Sequence, residues 1–399
     1  MSKSLIKLDE PAAPVQATPP WALWQLGFRP FYLLAGAFAS MSVLLWTLQF
    51  IGWWPQAYLA GPLWHAHEML FGYALAVVVG FLFTAGRNWS GRPTPSGAAL
   101  AALALLWLAG RVLVLTPWGW AAALVNVAFP LAAALGLGRA LVGARNRRNY
   151  FFVGLLVLFG LAQFGVHLSQ LGVVELPGWL GIRLGLDMLL FIMAVMGGRV
   201  IPMFTNHGVP GTAARRVAAL EWFALGSLLV LAAADAMALQ GPALAALLGA
   251  CAAAHLLRLG FWQPWRTLST PLVWILHAAY LWIVLYLALR AAAELGWLAP
   301  SLAAHALTVG GVGGLTLGMM IRTARGHTAR PLRADAFDSA CFVAVQTAAV
   351  VRVLLPLLAP GATLAAIVTS ALLWSLGFGL FTLRYWPVLT RARLDGKPG

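Results

Sequence analysis

WHAHEMLFGYALAVVVGFLFTAGRNWSGRP, residues 64–93, decides how the chain is read. Three ionisable side chains, His65, His67 and Glu68, open it. An apolar run long enough to cross a bilayer follows, and Arg87, Arg92 and Pro93 close it. A second stretch, HALTVGGVGGLTLGMMIRTARGHTARP at residues 305–331, repeats this plan. With His67 set on His305, Gly72 falls on Gly310, Gly80 on Gly318, Arg87 on Arg325, Arg92 on Arg330 and Pro93 on Pro331. One offset for all six is more than composition explains, so the chain carries two parallel, His-headed helices.

The rest of the chain says what kind of protein holds them. Of its 399 residues 61% are hydrophobic and 9% charged, and mean hydropathy is +0.84. A soluble domain is roughly 25% charged. The expected fold class is therefore an all-α polytopic membrane protein with about twelve transmembrane helices. The apolar runs lie near 30–52, 64–86, 97–116, 119–142, 150–171, 180–204, 217–239, 242–262, 271–294, 301–323, 337–358 and 362–385, separated by Gly, Pro and polar turn residues such as Trp54-Pro55 and Pro360-Gly361. The expected organisation is a disordered cytoplasmic tail over 1–22, a twelve-helix domain over 23–388 and a basic cytoplasmic tail over 389–399. Cys251 and Cys341 lie inside apolar runs and no CxxC occurs, which excludes a thiolate zinc site and covalently attached haem.

A net charge of +15 would suit nucleic acid, but its distribution excludes that partner and points to the lipid bilayer. All but four of the 26 Lys and Arg residues fall in the tails or in alternate gaps between spans. By the positive-inside rule both termini are cytoplasmic. The four exceptions, Arg111, Arg183, Arg290 and Arg352, sit in the outer parts of their spans. They either snorkel to outer headgroups or neutralise an anion held near the outer face.

Ionisable groups inside a bilayer are costly and mark function. His65, His67, His167 and His305 belong to the outer side, Asp187 lies somewhat deeper, and His207, His255, His277 and His327 belong to the inner side. Imidazole suits zinc, copper and iron, and axial haem ligation needs one or two. His65 and His67 are two residues apart, so on a helix they point about 200° apart and face two different centres. Glu68 could orient a ligand imidazole, carry protons or pair an outer arginine. Gly72, Gly80, Gly310, Gly311, Gly313 and Gly314 allow either close helix packing or room for a flat macrocycle. GGRVIP at residues 197–202 ends the sixth span as the second and tenth end, which suggests three four-helix units with the second, sixth and tenth spans alike.

WHAHEMLFGYA, GRNWSGRP, GGRVIPMFTNHG, PLVWILHAAY and HALTVGGVGGLTLGMMIRTARGHTARPL together resemble the NnrS family, from about Phe28 to the last span. The resemblance implies a bacterial inner-membrane protein of twelve spans that contains haem and copper and protects against nitric oxide and nitrosative stress. A more distant similarity of plan is to the catalytic subunit of haem-copper oxidases and nitric oxide reductases, with twelve spans in three arcs and haem between the second and tenth. The paired copper-ligand histidines on that family's sixth and seventh helices have no counterpart here, where Asp187 and Glu221 stand instead.

The expectation is one b-type haem ligated by His67 and His305. A second haem or a copper ion would use His65 with His167, or the inner set His207, His255, His277 and His327. Arg111, Arg183, Arg290 and Arg352 would meet propionates, and Glu68 and Asp187 would handle protons. As an enzyme it would couple two nitric oxide molecules to nitrous oxide with electrons from quinol or a cytochrome. The rival expectations are a transporter of a metal complex or a nitrosylated species, and a haem protein that binds nitric oxide without turnover.

Overall fold

A computed structural model describes residues 21–53 and 58–397. Most of the expected disordered tail, Lys3 and Lys7 within it, and the Trp54-Pro55 turn lie outside the described residues. Among these residues there are twelve long helices and no β-sheet. They are α1 (Phe28–Phe50), α2 (Gly61–Ser90), α3 (Gly97–Leu113), α4 (Gly119–Gly143), α5 (Phe151–Gln170), α6 (Gly178–Gly208), α7 (Ala218–Ala236), α8 (Pro242–Phe261), α9 (Pro271–Glu294), α10 (Pro300–His327), α11 (Ala336–Leu358) and α12 (Thr363–Thr390). Each expected apolar run is one helix. Eleven are long and apolar enough to cross a membrane. The exception, α3, has 17 residues, about 26 Å of rise and the short end of the spanning range.

Local chemistry sets the ends. Proline occupies the first turn of α2, α8, α9 and α10, where a missing N–H costs nothing. Gly91 ends α2 at φ 64°, a left-handed conformation that favours glycine. Asp335 and Asp338 form a reciprocal capping box at the start of α11. The last helix runs to Thr390, two residues past the expected boundary.

The repeat has a structural counterpart that the sequence did not disclose. In α2 a short α-helical segment ends at His67, and a π-helical segment, Glu68–Ala74, follows. In α10 the first segment ends at His305 and the π segment is Ala306–Gly313. A π segment widens the helix by one residue per turn, re-aims what precedes it and is frequent at functional sites. The proposed third copy lacks it, because α6 is α-helical throughout. The helix α2 begins three residues earlier than expected and α10 one residue earlier, which places His67 about 9 Å into α2.

Among the helices of spanning length α2 and α10 are the most buried, over 83% and 72% of their apolar windows, followed by α9 and α6. The rest form a ring that shows lipid one face. The ring closes where α12 packs on α1. Ser40 Oγ donates to the Ser375 carbonyl at 2.8 Å, Ser375 Oγ returns the bond to the Ser40 carbonyl at 2.9 Å, and Trp374 Nε1 donates to the Ala39 carbonyl. Small residues at this seam bring the two backbones close. The chain ends meet on one face, Ala22 N–H donating to the Thr390 carbonyl at 2.7 Å. This terminal face is opposite the face where α2 and α10 begin.

Candidate functional site

A chamber of about 1100 Å³ opens between α1, α2, α6, α9, α10, α11 and α12 at the face where α2 and α10 begin. Its walls are aromatic and apolar, including Trp46, Tyr73, Trp179 and Trp374, and its ionisable groups are His65, His305, Arg183, Arg290, Arg352 and Glu294. The rings of His65 and His305 lie 6.5 Å apart, 12° from parallel. Trp46 backs His65 at 5.0 Å. His305 Nδ1 is 2.6 Å from the Ser301 carbonyl one turn earlier. A carbonyl only accepts, so Nδ1 carries the proton and Nε2 keeps its lone pair, the tautomer that leaves Nε2 able to bind a metal. Arg352 Nη2 donates to that Nε2 at 3.3 Å. Nδ1 of His65 is buried without a hydrogen-bond partner.

His67 belongs to a different site on the opposite side of α2, fully buried. Its Nδ1 donates to Glu68 Oε1 at 2.7 Å, and its Nε2 accepts from Gln163 Nε2 at 3.2 Å. Arg111 Nη1 donates to the same Glu68 oxygen at 2.7 Å, and Arg111 Nη2 donates to Asn126 Oδ1. Gln163 Nε2 also donates to Asn126 Oδ1, at 3.1 Å, which closes a ring of hydrogen bonds across α2, α3, α4 and α5. The His167 ring meets His67 edge-on at 4.9 Å. Its Nδ1 bonds the Tyr58 hydroxyl at 3.1 Å, and its Nε2 is buried without a partner. Burial pushes the Tyr58 hydroxyl up to about 12, so it stays a phenol and donates to His167.

The pairing of the outer histidines and the place of Arg111 differ from expectation. The opposed directions of His65 and His67 hold, but the pairs are exchanged: His65 faces His305, and His67 lies against His167. Equivalent positions in a repeat face equivalent directions within their own units. They face each other only when the relating axis passes between them, so matching His67 to His305 did not make them partners. Arg111 is not at the chamber, because it is buried against Glu68. Arg183, Arg290 and Arg352 do line it.

Arg290 is held from behind by Asp235, with one bond of 2.7 Å, and by the Tyr286 hydroxyl at 3.1 Å. Arg183, 44% exposed, lies 3.7 Å from Asp235. Asp187 is buried next to Asp235, and neither of its oxygens has a hydrogen-bond donor. Asp235 joins the site as an acid inside an apolar span opposite outer arginines, a signal present in the sequence. Asn126 and Gln163, amides inside apolar spans, carry the same signal.

The inner histidines do not form a set. His255 Nδ1 bonds the Tyr280 hydroxyl at 2.6 Å, His277 Nε2 bonds Thr205 Oγ1 at 2.8 Å, and His207 Nδ1 donates to the Met203 carbonyl at 2.8 Å. His327 packs on Phe28, ring centres 5.5 Å apart. Among the described residues no three of His, Cys, Asp and Glu converge as a metal site. Similar depth in the membrane does not bring side chains to one azimuth.

The glycines resolve toward packing. A Cβ at Gly310 would enter the indole of Trp282, one at Gly72 would meet Arg111 and Phe38, and one at Gly313 would meet Trp374. Side chains of neighbouring helices occupy the room these glycines leave.

A family model described as NnrS protein matches residues 22–393. No curated protein matches the chain.

Proposed function

The chain belongs to the NnrS family, a membership that ties this multi-pass membrane protein to the nitric oxide response, and from that premise we propose that it binds haem in the α2–α10 chamber and acts there on nitric oxide. The observation that carries the reading is His305. Its Nδ1 proton is fixed on Ser301, its Nε2 lone pair is engaged only by Arg352 at 3.3 Å, and His65 stands 6.5 Å away with an unpartnered nitrogen. Two imidazoles binding one metal at about 2.0 Å each put their ring centres roughly 6 Å apart, so the spacing suits a shared iron. The residues fit the rest of the group too. Aromatic walls suit the macrocycle, and Arg183 and Arg352 offer forked donors for two propionates.

Bound haem would supply a redox-active iron, which nitric oxide could reach only where one of the two imidazoles gives way. The chain's own residues do the remainder. His65 and His305 would hold the iron, Trp46 and Trp374 would exclude water, and Arg352, which donates to His305 here, would donate to a propionate instead. Coupling two nitric oxide molecules to nitrous oxide and water consumes two protons and two electrons. Asp187, whose carboxyl oxygens have no hydrogen-bond partner and which lies close to Arg290 and Tyr286, would hold a proton, whereas Asp235 is engaged by Arg290. Glu68 is less suited, because Arg111 and His67 engage it. Electrons would come from quinol or a cytochrome. For copper the remaining candidates are His67 and His167, although Gln163 donates to His67 Nε2 and His167 would have to shed its Tyr58 bond and move its proton to Nδ1 before its unpartnered Nε2 could bind a metal. The terminal face, which holds Arg29, Arg325, Arg391 and Arg393, is assigned to the cytoplasm of a bacterial inner membrane.

Pyridine haemochrome and optical spectra of purified protein test this. His305→Ala and His65→Ala should each lose the low-spin haem signal, and His67→Ala should keep it. Full haem with an unchanged spectrum in both of the first two would refute the ligand pair. Wild-type protein that purifies without haem would return the chamber to the carrier reading.

A further inference from the structure

The terminal face carries half of the repeated motif that the haem reading leaves unused, the arginines that follow α2 and α10. Arg325 is fully engaged: Nη2 reaches Asp338 at 2.6 Å and Asp335 at 3.0 Å, and Nε reaches Tyr385 at 3.1 Å. Arg330 differs, with Nη1 buried and unpartnered. Burial and the nearby Arg325 hold its guanidinium below the ordinary arginine value.

Arg29 at the start of α1 is fully buried. Its Nη1 donates to the carbonyls of Leu389 at 3.0 Å and Arg391 at 2.8 Å, but Nε and Nη2 are buried without any acceptor. The charges that bear on Arg29 are Arg393 and Arg330, and those that bear on His327 are Arg393, Arg29 and Arg87. The carboxylates at this face are taken. Asp335 and Asp338 pair with Arg325 and Arg384, and Asp395 pairs with Arg393. Among the described residues Arg29, Arg87 and Arg330 have no carboxylate.

Enclosed guanidinium donors with no acceptor are unfavourable, and mutual repulsion adds to the cost. An anion with several oxygens removes both penalties, and the planar fork of arginine matches phosphate oxygens in particular. Basic pockets between helices at the cytoplasmic side suit anionic lipid headgroups. We propose that Arg29, Arg87 and Arg330, with His327, form a site for a phosphate group, presented either by an anionic phospholipid headgroup or by inorganic phosphate. The site is built from the start of α1, the end of α2 and the end of α10, and the segment after α12 covers it. Its occupancy therefore ties the closing seam of the ring to both halves of the repeat. This inference does not depend on haem or nitric oxide.

The test uses the full-length protein in nanodiscs of phosphatidylcholine alone, of phosphatidylcholine with phosphatidylglycerol, and of phosphatidylcholine with added inorganic phosphate. A ligand at free concentration L that binds only the folded state stabilises it by RT ln(1 + L/Kd), so Tm rises with ligand concentration above Kd. A rise with phosphatidylglycerol alone identifies the headgroup, and a rise with inorganic phosphate identifies the free ion; either supports the site. Arg330→Gln and Arg87→Gln should each bind about 5-fold more weakly, the worth of one basic residue near anionic lipid. Arg333→Gln, an exposed position on the same face, should bind as wild type. No Tm response in any arm overturns the proposal. So does a response that Arg333→Gln weakens as much as Arg330→Gln, which would mean diffuse surface charge.

Discussion

Arg111→Met tests whether the buried ring around His67 is held by charge or only by shape. Glu68 is 1% exposed and Arg111 6% exposed, so methionine leaves a buried carboxylate without its guanidinium. Removing one partner of a buried ion pair costs about 3–5 kcal/mol. Unfolding entropy of about 2.1 cal/mol/K per residue makes roughly 0.8 kcal/mol/K for a chain of this length, so Tm should fall by about 4–6 °C. Glu68→Gln added to Arg111→Met removes the orphaned charge, and its amide oxygen can still accept from His67 Nδ1. The double variant should recover most of the loss, to within about 2 °C of wild type. Differential scanning fluorimetry in one detergent measures all four proteins. A double variant that loses the sum of the two single losses, or an Arg111→Met protein within about 1 °C of wild type, would refute the argument that Arg111 compensates Glu68.

Two further outcomes use the same melting assay. Gly310→Ala drives a methyl group into Trp282 and should cost about 1–3 kcal/mol, whereas Gly311→Ala meets nothing closer than 3.5 Å and should be neutral or slightly stabilising; the reverse order would contradict the packing at α9–α10. Asp335→Ala removes the cap of α11 and should cost about 1 kcal/mol at neutral pH. Burial opposes it, but the Asp338 N–H and the Arg325 guanidinium hold the Asp335 carboxyl below its ordinary value. A depressed folded value stabilises above the unfolded value, near pH 4, and that part is lost as pH falls through the folded value. The difference between wild type and Asp335→Ala should therefore stay level down to about pH 4 and shrink below it. A gap that is still full at pH 2 would show that charge is not what the cap contributes.

Much of the fold was legible because its signals are local. Apolar length names a span, and proline or glycine at the breaks marks its end, so twelve runs became twelve helices with boundaries shifted by a few residues. The candidate site was legible in part. His65, His305 and three of the four outer arginines do share one chamber; their depth could be counted along the chain, but not that their helix faces turn to the same cavity. The roles of Asp235, Asn126 and Gln163 depend on partners from other helices and are not written in local sequence.

By itself the sequence determined the membrane class, the number of helices, their limits to within a few residues and the matched positions of α2 and α10. It also determined that His65 and His67 face opposite sides, because the helical period alone sets that angle. Only the tertiary structure decided which histidine meets which. It also scattered the inner histidines and filled the glycine gaps with Trp282 and Trp374. The physical reason is that one helix fixes the angles between its own side chains. Which of those directions points at a given neighbour depends on how the helices rotate and tilt against one another, and the π segments of α2 and α10 change that rotation just past His67 and His305.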